Sequence, residues 1–143
     1  MRIEPGKSSA LVDSNILIYA FAEDSPKHET ALRLLRQCFS GNITLTISLQ
    51  NIGEFCNTAL WKYKLDQAVV RRVVRQILYC SSFVKISYMA NEFEKALELS
   101  EKHNMEFWDA MLVATMKENG IDTIYTEDNG FAKVPGIKAV NPF

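Results

Sequence analysis

Five short apolar stretches, each separated from the next by polar or helix-forming sequence, limit this chain more than any other feature: ALV at 10–12, ITLTIS at 43–48, FVKI at 83–86, TIYT at 123–126 and IKAV at 137–140. Their brevity and β-branched content suit buried strands. Longer segments with helical periodicity lie between most of them. Strands separated by helices pair in parallel and need helices over both sheet faces, so the reading is an α/β chain with a mostly parallel central sheet.

The helical segments carry their own boundary signals. Ile16 to Phe21 opens a helix with Ser14 or Asn15 as its cap, and Ser25-Pro26 marks a second start. Ala31, Leu32, Leu34, Leu35, Cys38 and Phe39 give that second helix its apolar stripe, up to Gly41. Further helices are expected over 49–62, over 67–81 with Asp66 as cap, over 90–102, and over 107–119 ending at Gly120.

The 143 residues suit one domain, here 10–143, behind a flexible lead at 1–9. With no apolar run near the roughly 18 residues of a membrane span and no signal-peptide core, a cytoplasmic protein is expected. Gly6-Lys7-Ser8 lacks the earlier glycine and preceding strand of a phosphate-binding loop. Cys38, Cys56 and Cys80 are widely spaced and fit reduced, buried thiols, while His28 and His103 have no metal-ligand spacing and are expected at the surface.

The net charge of −1 excludes a uniformly basic nucleic-acid binder but conceals segregation. Between Trp61 and Arg75, Lys62, Lys64, Arg71, Arg72 and Arg75 face Asp66 alone. Between Asn91 and Asp109 there are six acids and two lysines.

Ligands of open parallel sheets collect beyond the carboxyl ends of the strands, which draws attention to four acids. Asp13 ends the first strand, where it can also serve as a helix cap. Glu54 lies one turn into the helix after the second strand, in a polar stripe with Gln50, Asn57 and Thr58 that solvation alone would explain. Asp109 is harder to dismiss, because FWDAMLVATM is apolar nearly all round and Leu112, Val113 and Met116 share its face. An unpaired carboxylate there is costly, and a metal ion or basic partner is the usual remedy. Asp128 follows the fourth strand in TEDNG, which is also an ordinary turn sequence. Carboxylates gathered at one sheet end repel unless a cation compensates, and oxygen-only ligands suit Mg²⁺ or Mn²⁺. Such sites hydrolyse phosphodiesters by aligning and deprotonating water.

VDSN at 12–15, Glu54 in its helix, FWDAMLVATM around Asp109 and YTEDNGF around Asp128 together resemble the PIN domain, specifically the small VapC-type toxins of toxin–antitoxin pairs. The resemblance implies a three-layer α/β/α fold and a Mg²⁺- or Mn²⁺-dependent ribonuclease using Asp13, Glu54, Asp109 and Asp128. It assigns direct metal contact to Asp13 and Asp109, and action through metal-bound water to Glu54 and Asp128. Ser14, Asn15 and Thr126 occupy the positions that orient these acids or their waters. It also implies a homodimer inhibited by a small antitoxin. Two features depart from the family: the nine-residue lead, and Glu127, an extra acid beside Asp128.

The run WKYKLDQAVVRRVVRQ is the RNA-contact candidate, with Lys62, Lys64, Arg71 and Arg75 for phosphates and Trp61 and Tyr63 for unpaired bases. The alternative is solvated arginines and packed aromatics. Met105, Phe107 and Trp108 read as core or dimer contacts. Two competing functions remain: a catalytically silent RNA- or protein-binding domain of the same fold, and a haloacid-dehalogenase phosphatase. The phosphatase expects a second aspartate where Asn15 stands.

Overall fold

The structure, a computed structural model, describes residues 9–143. Nearly all of the expected flexible lead therefore lies outside the described residues. Strands β1 (Leu11–Val12), β2 (Leu45–Ser48), β3 (Phe83–Ile86), β4 (Thr123–Tyr125) and β5 (Lys138–Val140) form one sheet in the order β3-β2-β1-β4-β5. Every pairing is parallel. The chain builds outward from β1 to β2 and β3, then returns to lay β4 on the other side of β1. The order reverses between β1 and β4, where a crevice opens beyond the strand ends.

Alternation along the strands separates two cores. Val12, Leu45, Ile47 and Phe83 pack with helices α1 (Ser14–Phe21), α2 (His28–Phe39), α3 (Leu49–Trp61) and α4 (Gln67–Tyr79). Leu11 and Ile124 face the other way, onto Leu112, Val113 and Met116 of α6 (Phe107–Glu118), which packs closely against α5 (Glu92–His103). Three layers result because neighbouring strand residues point to opposite faces.

One helix start differs from expectation and another is decided among the residues offered. Asp13, given as a possible cap beside Ser14 and Asn15, caps α1, its carboxylate accepting from the Ser14 N–H. Ser25-Pro26 forms a turn in which the Ser25 hydroxyl accepts from the Lys27 N–H, and α2 begins only at His28. Asp66 caps α4 as expected, accepting from Ala68 N–H. After α6 the chain turns at Gly120, whose φ of +67° is strained for any residue with a β-carbon. A 3₁₀ turn at Asn129–Lys133, absent from the sequence reading, follows Asp128.

Cys38 is buried, with its thiol pushed up to about 11 by burial, and Cys56 and Cys80 are half-buried. His28, expected at the surface, is half-buried with Nδ1 against the Tyr19 carbonyl. Among the described residues, no helix is long and apolar enough to cross a membrane.

Candidate active site

Four element ends meet at the crevice. Asp13 sits between β1 and α1, Glu54 one turn into α3, Asp109 in the first turn of α6 and Asp128 just beyond β4. The ties between them are specific. The Thr126 hydroxyl donates to Asp13 Oδ2 at 2.7 Å, and the Ser14 N–H donates to Asp13 Oδ1 at 2.7 Å. Thr126 Oγ1 in turn accepts from the Asp128 N–H at 3.0 Å, joining the two strand ends on either side of the sheet's reversal. The Ser14 hydroxyl reaches across 40 residues of sequence to donate to Glu54 Oε2 at 3.1 Å.

The electrostatics follow from this crowding. Burial pushes the Asp109 carboxyl up to about 6, and the negative charges of Asp128, Glu106, Asp13 and Glu54 add to the effect. Burial also raises Asp13, opposed by its bonds from Thr126 and Ser14 and reinforced by Glu54 and Asp128. The ion pairs among the described residues, Lys27–Glu127 and Lys95–Glu118, touch none of the four acids. A divalent cation is the compensating charge such oxygen-only donors favour. No three His, Cys, Asp or Glu side chains among the described residues are gathered closely enough to enclose an ion. Mg²⁺ needs only one or two carboxylates and fills its remaining positions with water and phosphate, so Asp13 and Asp109 are the two that could hold it.

The other sequence candidates divide. Ser14 and Thr126 contact the acids, whereas Asn15 makes no such bond and its Oδ1 is buried without a partner. Glu127 turns away from the crevice: it accepts from the Tyr19 hydroxyl at 2.9 Å and pairs with Lys27. Lys62, Lys64, Arg71 and Arg75 are exposed on α4 and the turn before it, and none lines the cleft beside Asp109. The aromatics of that run are exposed rather than packed, Trp61 at 72% and with Lys64 Nζ 5.6 Å from its ring centre.

Ser48, Asn51 and Glu106 were not singled out in the sequence, and Gln50 was read there only as part of a solvated stripe. Buried Asn51 accepts from the Ser48 hydroxyl at 2.8 Å and points its amide toward Asp13 Oδ1 at 3.5 Å. Gln50 donates to Glu54 Oε1 at 3.0 Å and to the Trp108 carbonyl at 2.9 Å, fastening α3 to α6. Glu106 caps α6 by accepting from the Asp109 N–H at 3.3 Å. The only signal for Ser48 and Asn51 was their S-x-x-N spacing at a helix start; Gln50 and Glu106 depend on elements brought together by the fold.

Residues 10–137 match the family described as PIN domain. The chain belongs to the PIN domain family. Among solved structures, this PIN domain is similar to the *Mycobacterium tuberculosis* VapC20 toxin, described as cleaving the sarcin-ricin loop, at 24% identity and TM-score 0.70 over 87% of this chain and 93% of that one. It is also similar to a toxin–antitoxin complex from *Klebsiella pneumoniae*, at 25% identity and TM-score 0.65 over 94% and 98% of the two chains. A third likeness is to VapBC2 from *Rickettsia felis*, bound to promoter DNA, at 17% identity and TM-score 0.62 over 94% and 98%. A comparison with curated proteins finds no match.

Proposed function

We propose that this PIN domain is a divalent-metal-dependent endoribonuclease, acting in the cytoplasm as the toxin of a toxin–antitoxin pair. The observation that carries the reading is the convergence of Asp13, Glu54, Asp109 and Asp128 at one sheet end, with the Asp13 and Asp109 carboxyls raised by burial and mutual repulsion. Resemblance to VapC20 and to toxin–antitoxin complexes supports the toxin role and an antitoxin partner, and a homodimer belongs to the same proposal.

In this reading Asp13 and Asp109 hold Mg²⁺ or Mn²⁺, with Glu54 and Asp128 acting through water. A bound ion would supply Lewis acidity, lowering the pKa of a water and neutralising charge on a leaving oxygen. The chain's own residues set the geometry. Thr126 and the Ser14 N–H fix both oxygens of Asp13, so its carboxylate cannot rotate out of the crevice. Ser14 and Gln50 each donate to one oxygen of Glu54, orienting a carboxylate that can accept a proton from water. Arg71, Arg75, Lys62 and Lys64 bind RNA phosphates, and exposed Trp61 and Tyr63 stack on unpaired bases.

The test is cleavage of total cellular RNA by purified protein with Mg²⁺, Mn²⁺ or EDTA, beside Asp13→Asn and Asp109→Asn. Metal-dependent fragments that vanish in both variants support the reading. The same fragment pattern from wild type and variants under every condition would sink it.

A further inference from the structure

Beside Asp109 lies a cleft of about 660 Å³, within the range of small-ligand sites. One wall is apolar and unusually exposed: Trp108 at 43%, Leu49 at 50%, and Tyr88 with its ring centre 5.9 Å from that of Trp108. Phe107 packs edge-on against Trp108 at 5.2 Å and is itself stacked on Phe93, so the indole has aromatic support beside it. A supported indole open to solvent is a platform for a flat aromatic ligand.

Several polar groups of the cleft present acceptors. Gln50 uses its amide nitrogen on two groups that only accept, Glu54 Oε1 and the Trp108 carbonyl, which fixes the amide orientation; its Oε1 is buried and does not face a ligand. Glu106 engages Oε2 with the Asp109 N–H and keeps Oε1 free. The Ser87 hydroxyl donates to the Tyr88 carbonyl, leaving only its lone pairs. The Tyr88 hydroxyl and the Trp108 indole N–H of the lining can donate, so it is the exposed Glu106 carboxylate, which only accepts, that favours a ligand edge carrying donors. Among the RNA bases, guanine alone presents two adjacent donors, N1–H and the 2-amino group, on its pairing edge. Adenine, cytosine and uracil each offer a single donor group there.

We propose that this cleft is a subsite for an unpaired guanine of the RNA, stacked on Trp108 and read at its N1–H and 2-amino group by the Glu106 carboxylate. The proposal rests on the nuclease reading, because Trp108 adjoins Asp109 in the chain and so holds the base next to the phosphate being cleaved. A carboxylate meeting two donors of one base is the bidentate pattern that discriminates bases. Glu106 is thus a specificity-determining residue.

The experiment has two parts. Binding of GMP, AMP, CMP and UMP in EDTA is followed through the indole N–H resonances of Trp61 and Trp108, which separate this cleft from the basic run. Cleavage is then measured on single-stranded oligonucleotides with one guanine moved along the chain. The expected result is GMP shifting Trp108 with affinity about tenfold or more above the other nucleotides, and cleavage following the guanine. Glu106→Gln, which keeps a side-chain oxygen for the helix cap, lowers that preference about tenfold, and Trp108→Leu weakens all four nucleotides. Equal binding of the four nucleotides, or a guanine preference untouched in Glu106→Gln, overturns the proposal. So does arginine amide shifting Trp108 where GMP does not, since that assigns the cleft to a basic side chain of a protein partner. GMP binding at Trp108 without any metal-dependent cleavage upholds the cleft and rejects the nuclease reading instead.

Discussion

The acidic crevice and the basic run from Trp61 to Arg75 are both concentrations of one charge, yet the fold treats them in opposite ways. Asp13 and Asp109 are half-buried, and Asp13 is held by hydrogen bonds to both of its oxygens. Lys62, Lys64, Arg71 and Arg75 stand in solvent, the two lysines lying over the rings of Tyr63 and Trp61. Like charges in water cost little to gather, because solvent and salt screen them. Like charges gathered out of water cost stability, so the crevice marks where the fold gives up stability for chemistry.

The sharpest way to break that contrast is Asp109→Asn. In the proposed enzyme, metal-dependent cleavage falls by about 100-fold or more, as for Asp13→Asn. Without metal at pH 7, the same Asp109→Asn protein should melt at a higher temperature than wild type, because a repelled, half-buried charge has been removed. A lower melting temperature in EDTA would remove the claim of stored repulsion.

Thr126→Val tests whether the crevice depends on orientation as well as charge. The substitution leaves Asp13 Oδ2 and the Asp128 N–H without their partner, and metal affinity, measured by Mn²⁺ titration, should fall about tenfold or more. Unfolding by urea should show a loss of about 1–3 kcal/mol.

The pH dependence has a definite sign. The folded protein keeps the Asp109 proton up to about 6, while the unfolded chain releases it near the ordinary aspartate value of 3.8. Metal-free stability from this group therefore falls as pH rises from about 4 to about 6 and recovers on acidification. Asp109→Asn should flatten that slope in thermal melts, and metal binding by wild type should weaken as pH falls through 6. The smallest effect belongs to the basic run. Arg71→Glu with Arg75→Glu should weaken RNA binding at low salt, lose the effect at high salt, and change stability by no more than about 0.5 kcal/mol. Unchanged binding at low salt would move the RNA off this face.

Much of this was legible locally. Five apolar pieces between helices already imply a parallel sheet covered on both faces, and all five strands lie within the expected stretches. The apolar helix around Asp109 advertised an acid that needed a reason, since its cost is written in its immediate neighbours. Helix starts were less legible: Asp13 and Ser14 are both good caps, and the choice depends on where β1 ends. Ser25-Pro26 carries the signature of a helix start but serves as a turn.

The partners of the acids could not be read that way. Thr126 lies 113 residues from Asp13, Gln50 lies 58 from Trp108, and Glu127 lies 100 from the Lys27 that draws it out of the crevice. Periodicity and capping signals extend only a few residues, so the sequence alone determined which segments become strands and helices and which acids sit at their ends. Strand order, with β4 laid beside β1, decided which of those ends meet, because parallel pairing joins residues far apart in the chain that no local pattern links.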